Sequence, residues 1–187
     1  MRNSWIWTVA TAATIALGTN AQAEVKKFMN VCGAGKLCPS FELAATPPAG
    51  WVLEKEASKQ AGLTMMVPKG KNFGNAEALI YVKVSPQQDN QRLEDFIKVS
   101  QERWRGAVAD TKITKMPEVV RKNGKAAFQP YQYENPSQSQ QAFEYVAFGE
   151  DTDPEGNTYF AMVVMTGRNR KLIEQAGAPY RAFLGAH

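Results

Sequence analysis

The sequence predicts an α/β (α+β) domain, an α/β/α sandwich with a mostly antiparallel sheet covered by helices on both faces. Three observations predict it. Short apolar runs bounded by turn residues follow one another over residues 51–84 and again over 113–165. Helical apolar periods separate and end these runs, at 90–110 and 168–187. The stretch YFAMVVM, residues 159–165, is apolar on both alternating sets of side chains, as in a strand with both faces covered.

The chain begins with Arg2, an apolar stretch over residues 5–17, and the small-x-small triplet Ala21-Gln22-Ala23. This pattern reads as a secretory signal peptide over residues 1–23, with Glu24 the expected mature N-terminus. The apolar stretch is short for a membrane span, which takes roughly 20 residues. No later stretch is long and apolar enough for one. A periplasmic or secreted protein with no transmembrane segment after cleavage is expected.

Residues 24–40 read as an irregular lead-in that holds Cys32 and Cys38, the chain's two cysteines. In an oxidising compartment two such neighbours usually pair. Gly33 and Gly35 would let the short loop turn through positive φ. A zinc site would need further ligands, a redox pair normally has two residues between its cysteines, and Leu37 follows Lys36 where a phosphate loop requires Ser or Thr. A structural Cys32–Cys38 disulfide is therefore expected.

Residues 41–187 read as a single domain. Pro47, Pro48 and Gly50 break regular structure before Trp51. Residues 51–58 and 63–67 suit two strands joined by a KQAG turn, and ALIYVKV (78–84) is a strand ended by Ser85-Pro86. Leu93, Phe96, Ile97, Trp104 and Val108, with Ser100, form a helical stripe. Asn90 can cap this helix, and Glu94 and Asp95 suit its first turn. Residues 113–121 and 126–133 suit a hairpin around Asn123-Gly124, in which Pro130 makes the second strand an edge strand or a bulged one. NPSQSQQ (135–141) reads as a polar loop. Residues 142–148 and 158–165 form a second hairpin around EDTDPEGN. Leu172, Ile173, Ala176, Tyr180, Phe183 and Leu184 share one stripe of a last helix, with a kink or break expected at Gly177 and Pro179.

This order resembles the PsbP-like fold family, shared by photosystem oxygen-evolution accessory proteins, Ran-binding Mog proteins and DcrB-type envelope proteins. The resemblance is carried in combination by Pro48-x-Gly50-Trp51, by ALIYVKVSP followed by RLEDFIKVSQERW, by VVRKNGKAAFQPYQY, and by AFEYVAF with TYFAMVVM before the final helix. It spans residues 41–184. It implies a non-enzymatic accessory, adaptor or chaperone-like role. The cysteine loop and NPSQSQQ have no place in the general pattern.

The chemistry points the same way. The chain has 22 basic and 18 acidic residues, a net charge of +4, with no long run of either sign. Nucleic-acid binding is therefore poorly supported. Its one histidine is His187, the last residue, where holding it in a packed site looks difficult. Ser-His-Asp and Cys-His arrangements are thereby removed, and no cofactor or metal motif occurs. Asp151, Asp153 and Glu155 mimic the start of a calcium loop, but its twelfth position is Met162, and Pro154 and Gly156 suit a turn. Glu144, Glu150 and Asp151 could supply the carboxylates of a hydrolase.

The expected function is binding of a protein or envelope component, without catalysis, metal or cofactor. Tyr131 and Tyr133 share one face of the suspected edge strand and are the first choice of binding surface, by strand addition or docking of a partner segment. An immunity-type inhibitor of a periplasmic toxin is an alternative. A carrier of small apolar ligands is another. It would need a cavity between sheet and helix lined by some of Met65, Met162, Met165 and the aromatics. A carboxylate hydrolase would need a cleft with two converging carboxylates, one of raised pKa.

Overall fold

The computed structural model describes residues 25–32, 35–122, 124–139 and 141–187, leaving aside the side chains of 30–32. The expected signal peptide at 1–23, Gly33, Asn123 and the side chain of Cys32 lie outside the described residues. No helix among the described residues is long and apolar enough to cross a membrane.

The fold is α+β with a mostly antiparallel sheet. Among the described residues nine strands and three helices follow in the order β1 (Val25–Cys32), β2 (Lys36–Leu43), β3 (Trp51–Leu53), α1 (Lys55–Ala61), β4 (Thr64–Pro68), β5 (Ala78–Pro86), α2 (Leu93–Ala107), β6 (Lys112–Lys115), β7 (Gln129–Glu134), β8 (Phe143–Thr152), β9 (Thr158–Gly167) and α3 (Arg170–Ala186). Strands β3 to β9 form a seven-stranded sheet in the order β3-β4-β5-β9-β8-β7-β6, and β1 and β2 form a separate ribbon.

Alternation along the strands sorts the core. One apolar cluster joins Ile173, Ala176, Tyr180 and Phe183 of α3 to Ile80 and Val82 of β5 and to Ala161, Val163 and Met165 of β9. The other joins Leu93 and Ile97 of α2 to Val146 and Phe148 of β8 and to Phe160 and Val164 of β9. Odd residues of β9 thus serve α3 and even ones serve α2, as a period of two requires. Tyr180 ties α3 down by donating its buried hydroxyl to the Val163 carbonyl at 2.8 Å.

Several expectations are corrected. The lead-in is not irregular. It is the antiparallel hairpin β1–β2, and the boundary placed at residue 40 falls inside β2. Val25 and Leu43 are buried in the α3-side cluster, and Phe41 lies 5.1 Å from the Tyr159 ring. Residues 51–58 are not one strand. Strand β3 stops at Leu53 and Lys55–Ala61 is helical. Helix formers fill that run, and Gly62 ends it at φ 64, the left-handed cap that glycine favours.

Asn90 does not cap α2. The N-cap is Arg92, without a side-chain hydrogen bond. Asp89 and Asn90 instead take left-handed φ values of 49 and 55, which turn the chain into the helix. Nor does α3 break: it runs uninterrupted through Gly177 and Pro179. Buried Ala176 and Gly177 before the proline, and Tyr180, Phe183 and Leu184 after it, hold both halves on the sheet.

The strands at 113–121 and 126–133 are shorter than expected. Register shifts by one residue between the pairs Lys115↔Tyr131 and Val119↔Phe128, a bulge at Pro117. Strand β7 is not an edge. It lies between β8 and β6, and the sheet edges are β3 and β6.

His187 is held after all. It is only 3% exposed. Its ring lies 4.5 Å from Phe183, and Nε2 meets the Thr46 N–H at 3.2 Å. Burial lowers its pKa.

Candidate functional site

A seven-stranded face is roughly 30 Å across at about 4.8 Å per strand. One helix with its side chains covers only about 10 Å of it. Helix α2 lies toward β8 and β7. There Phe96 stacks on Phe160 at 4.6 Å and meets Phe148 edge-on, and Trp104 meets Tyr133 edge-on at 6.4 Å. On its other flank, over β5 and β9, a cleft of about 660 Å³ remains. Its helical wall is Phe96, Val99, Ser100, Arg103, Trp104 and Ala107, a stripe at helical spacing. Its floor is Tyr81 and Lys83 of β5, Met162 and Val164 of β9, Glu144 and Val146 of β8, and Tyr133 of β7. The volume is that of a small-molecule site, and the lining is the usual apolar majority with a few polar groups.

The buried end of this cleft is polar. Register places Thr166, Glu144 and Tyr133 opposite one another on β9, β8 and β7. Glu144 is 2% exposed. Its Oε2 accepts a long bond of 3.5 Å from Asn135 Nδ2. Its Oε1 has no hydrogen-bond partner, and neither does Thr166 Oγ1. Burial pushes the Glu144 carboxyl from its usual 4.5 up to about 7, against the neighbouring Thr166 hydroxyl and Asn135 amide. Burial likewise raises the hydroxyls of Tyr81 and Tyr133 above the ordinary tyrosine range, and the Glu144 charge adds to it.

Asn135 organises this end. It is fully buried. Its Oδ1 accepts from Trp104 Nε1 at 3.2 Å and from the Thr111 hydroxyl at 2.8 Å, and its Nδ2 donates to the Gln141 carbonyl at 2.8 Å. The residue read as the start of a polar loop thus fixes a cleft-wall tryptophan. The sequence carried no signal for it.

The sequence candidates divide. Tyr133 is on the cleft floor and buried; Tyr131 packs on Phe148 at 5.9 Å. Both stand on an inner strand, so strand addition at β7 has no free edge to use. Of the three methionines, Met162 lines the cleft, Met165 belongs to the α3-side cluster, and Met65 lines a neighbouring hollow that shares Tyr81.

Of the carboxylates, Glu144 alone lines the cleft among the described residues. Asp151 is instead buried against Arg121. Asp153 is a turn residue, accepting from the backbone N–H of Glu155 at 3.0 Å and of Asn157 at 2.9 Å. Among the described residues no three His, Cys, Asp or Glu side chains gather as a metal site.

Cys32 and Cys38 stand on the paired strands β1 and β2, opposite Lys36 and Asn30. Gly35 between them has φ 73, the positive value expected of the turn. No cysteine among the described residues is a free thiol.

Compared with known proteins, the chain matches no family model and no curated protein.

Proposed function

We propose that this is an exported, non-enzymatic binding protein whose working site is the cleft beside α2, and that its ligand is a small molecule with an apolar body. The observation that carries the reading is the cleft itself: about 660 Å³, walled by Phe96, Trp104 and Met162, with a buried polar group at one end. Such a site matches the carrier alternative more closely than strand addition. The finer architecture belongs to the same reading. The two clusters that alternate along β9 support an α/β/α sandwich, with α2 and α3 on opposite faces of the sheet. The PsbP-like resemblance is compatible with it. Acid–base hydrolysis of a glycosidic bond needs two flanking carboxyl groups, and among the described residues only Glu144 lines the cleft.

The test uses the neutral fluorescent probe N-phenyl-1-naphthylamine. It should bind saturably at one site. Ser100→Trp, which projects a large ring from the helical wall, should abolish binding without lowering the melting temperature. Absence of saturable binding, or binding indifferent to Ser100→Trp, refutes the reading.

A second reading, an adaptor for a protein or envelope component (an immunity-type inhibitor among them), draws on the β1–β2 hairpin, where Met29 and Leu37 are 55% and 65% exposed. Crosslinking in intact cells should then capture one envelope protein, and Met29→Ser with Leu37→Ser should release it. Capture that survives both changes removes that reading.

A further inference from the structure

Glu144 and Tyr133, opposite one another on β8 and β7, form the buried polar end of the cleft floor, and Thr166 stands opposite Glu144 on β9. There Glu144 Oε1 has no partner in hydrogen-bond geometry, with the Thr166 hydroxyl its nearest polar neighbour. A buried carboxylate is costly unless it is paired and hydrogen-bonded. Here the protein supplies the neighbouring Thr166 hydroxyl and one long amide contact from Asn135, and among the described residues no lysine or arginine pairs with Glu144. Four aromatic rings line the same cleft, those of Tyr81, Phe96, Trp104 and Tyr133. Aromatic faces attract cations.

We propose that the inner end of the cleft selects an ammonium group, so that the bound ligand is a primary or secondary amine on an apolar body. The inference rests on the cleft-binding reading above. An N–H-bearing cation supplies a donor for Glu144 Oε1 and the counter-charge for its carboxylate, and it meets ring faces along the way. An alcohol supplies one donor and no charge. A carboxylate meets Glu144 with the wrong sign.

Lys83 and Arg103 also line the cleft, but both are exposed. Solvent and salt screen them, whereas buried charges are screened much less. They disfavour an ammonium at the mouth and so help to place it at the buried end.

Octylamine, octanol and octanoate are compared by displacement of N-phenyl-1-naphthylamine from the full mature chain at pH 7.5. Octylamine should displace the probe at least tenfold more effectively than octanol, with octanoate weakest. Glu144→Gln should erase the amine advantage yet still bind the probe. Glu144→Asp, which keeps the carboxylate but draws it back from the cleft, should reduce the advantage several-fold and serves should Glu144→Gln fail to fold.

Equal displacement by octylamine and octanol, a preference for octanoate, or an amine advantage that survives Glu144→Gln overturns the inference and leaves the cleft reading standing. No binding of the probe overturns the cleft reading itself.

Discussion

Arg121 and Asp151 form an ion pair whose side chains are both fully buried, Nη2 lying 2.6 Å from Oδ2. Arg121 also donates to the carbonyls of Glu150 (2.8 Å from Nη1) and His187, and its guanidinium lies 4.6 Å above the Phe128 ring. Lys125 takes the other carboxylate oxygen of Asp151. The cluster joins the loop before β7, the end of β8 and the end of α3. Removing one partner leaves a buried charge without compensation, which costs about 3–5 kcal/mol. Arg121→Met and Asp151→Asn should each lower unfolding free energy by about that much. The double variant Arg121→Met/Asp151→Leu should lose less than the sum of the two. Chemical denaturation of the four proteins checks this, and additive losses would show that the pair is not coupled.

Glu144 sets a pH dependence of opposite sign to that of an ordinary salt-bridged carboxylate. Its folded pKa is raised from 4.5 to about 7. The folded state therefore holds a proton that the unfolded state has already released. Its contribution is fully present below about 4.5 and is lost as pH rises through about 7. The shift corresponds to roughly 3 kcal/mol. Glu144→Gln cannot ionise. It should match the parent near pH 4.5 and exceed it by roughly 2–3 kcal/mol at pH 8. Urea denaturation across this range decides, and a constant difference between the two proteins would refute the assignment.

Much of the sheet was legible because alternation and turn chemistry are local. ALIYVKV, AFEYVAF and YFAMVVM became β5, β8 and β9, and the stripe of Leu93, Phe96, Ile97 and Trp104 became the packing face of α2. The failures have physical reasons. Among the described side chains the β1–β2 hairpin buries Val25 and Leu43 at its far end while Phe28, Met29 and Leu37 are exposed, so no alternation of apolar and polar residues announces it. Helix α1 is a single short run with no buried residue, so no periodicity announces it; the signal that could have found it is Gly62 after a run of good helix formers broken only by Ser58. Glu144 was among the carboxylates the sequence singled out, but its isolation depends on where α2 leaves the sheet uncovered. Asn135 and His187 owe their burial to partners 24 and 141 residues away. No window of sequence contains those pairs.

Gly149 is a glycine for a steric reason. A Cβ built there would lie 2.6 Å from Phe128 Cε1 and 2.7 Å from Cδ1. Phe128 is itself fully buried and lies under Arg121. Gly149→Ala should therefore displace the ring and strain the ion-pair cluster above it, at about 1–3 kcal/mol. Phe128→Leu in the Gly149→Ala background should recover part of that loss, since a smaller side chain yields the space. No loss in the single variant, or no recovery in the double, would show that the contact is relaxed by backbone movement instead.

The hairpin offers the last prediction. Its strands are paired from Val25↔Leu43 to Cys32↔Lys36, and among the described side chains full apolar burial is at the Val25–Leu43 end. The cysteines stand toward the turn end, two register positions apart across the ribbon. A Cys32–Cys38 disulfide would close a short loop there and constrain the unfolded chain, by about 2 kcal/mol for a loop of this size. Protein prepared without reductant should resist alkylation until reduced. Reduction should raise hydrogen exchange in β1 and β2 and leave β5, β8 and β9 protected, because the seven-stranded sheet does not depend on the ribbon for its pairing. Full alkylation without reductant would refute the bridge, and exchange rising equally in β9 would show that the ribbon and the sheet unfold as one unit.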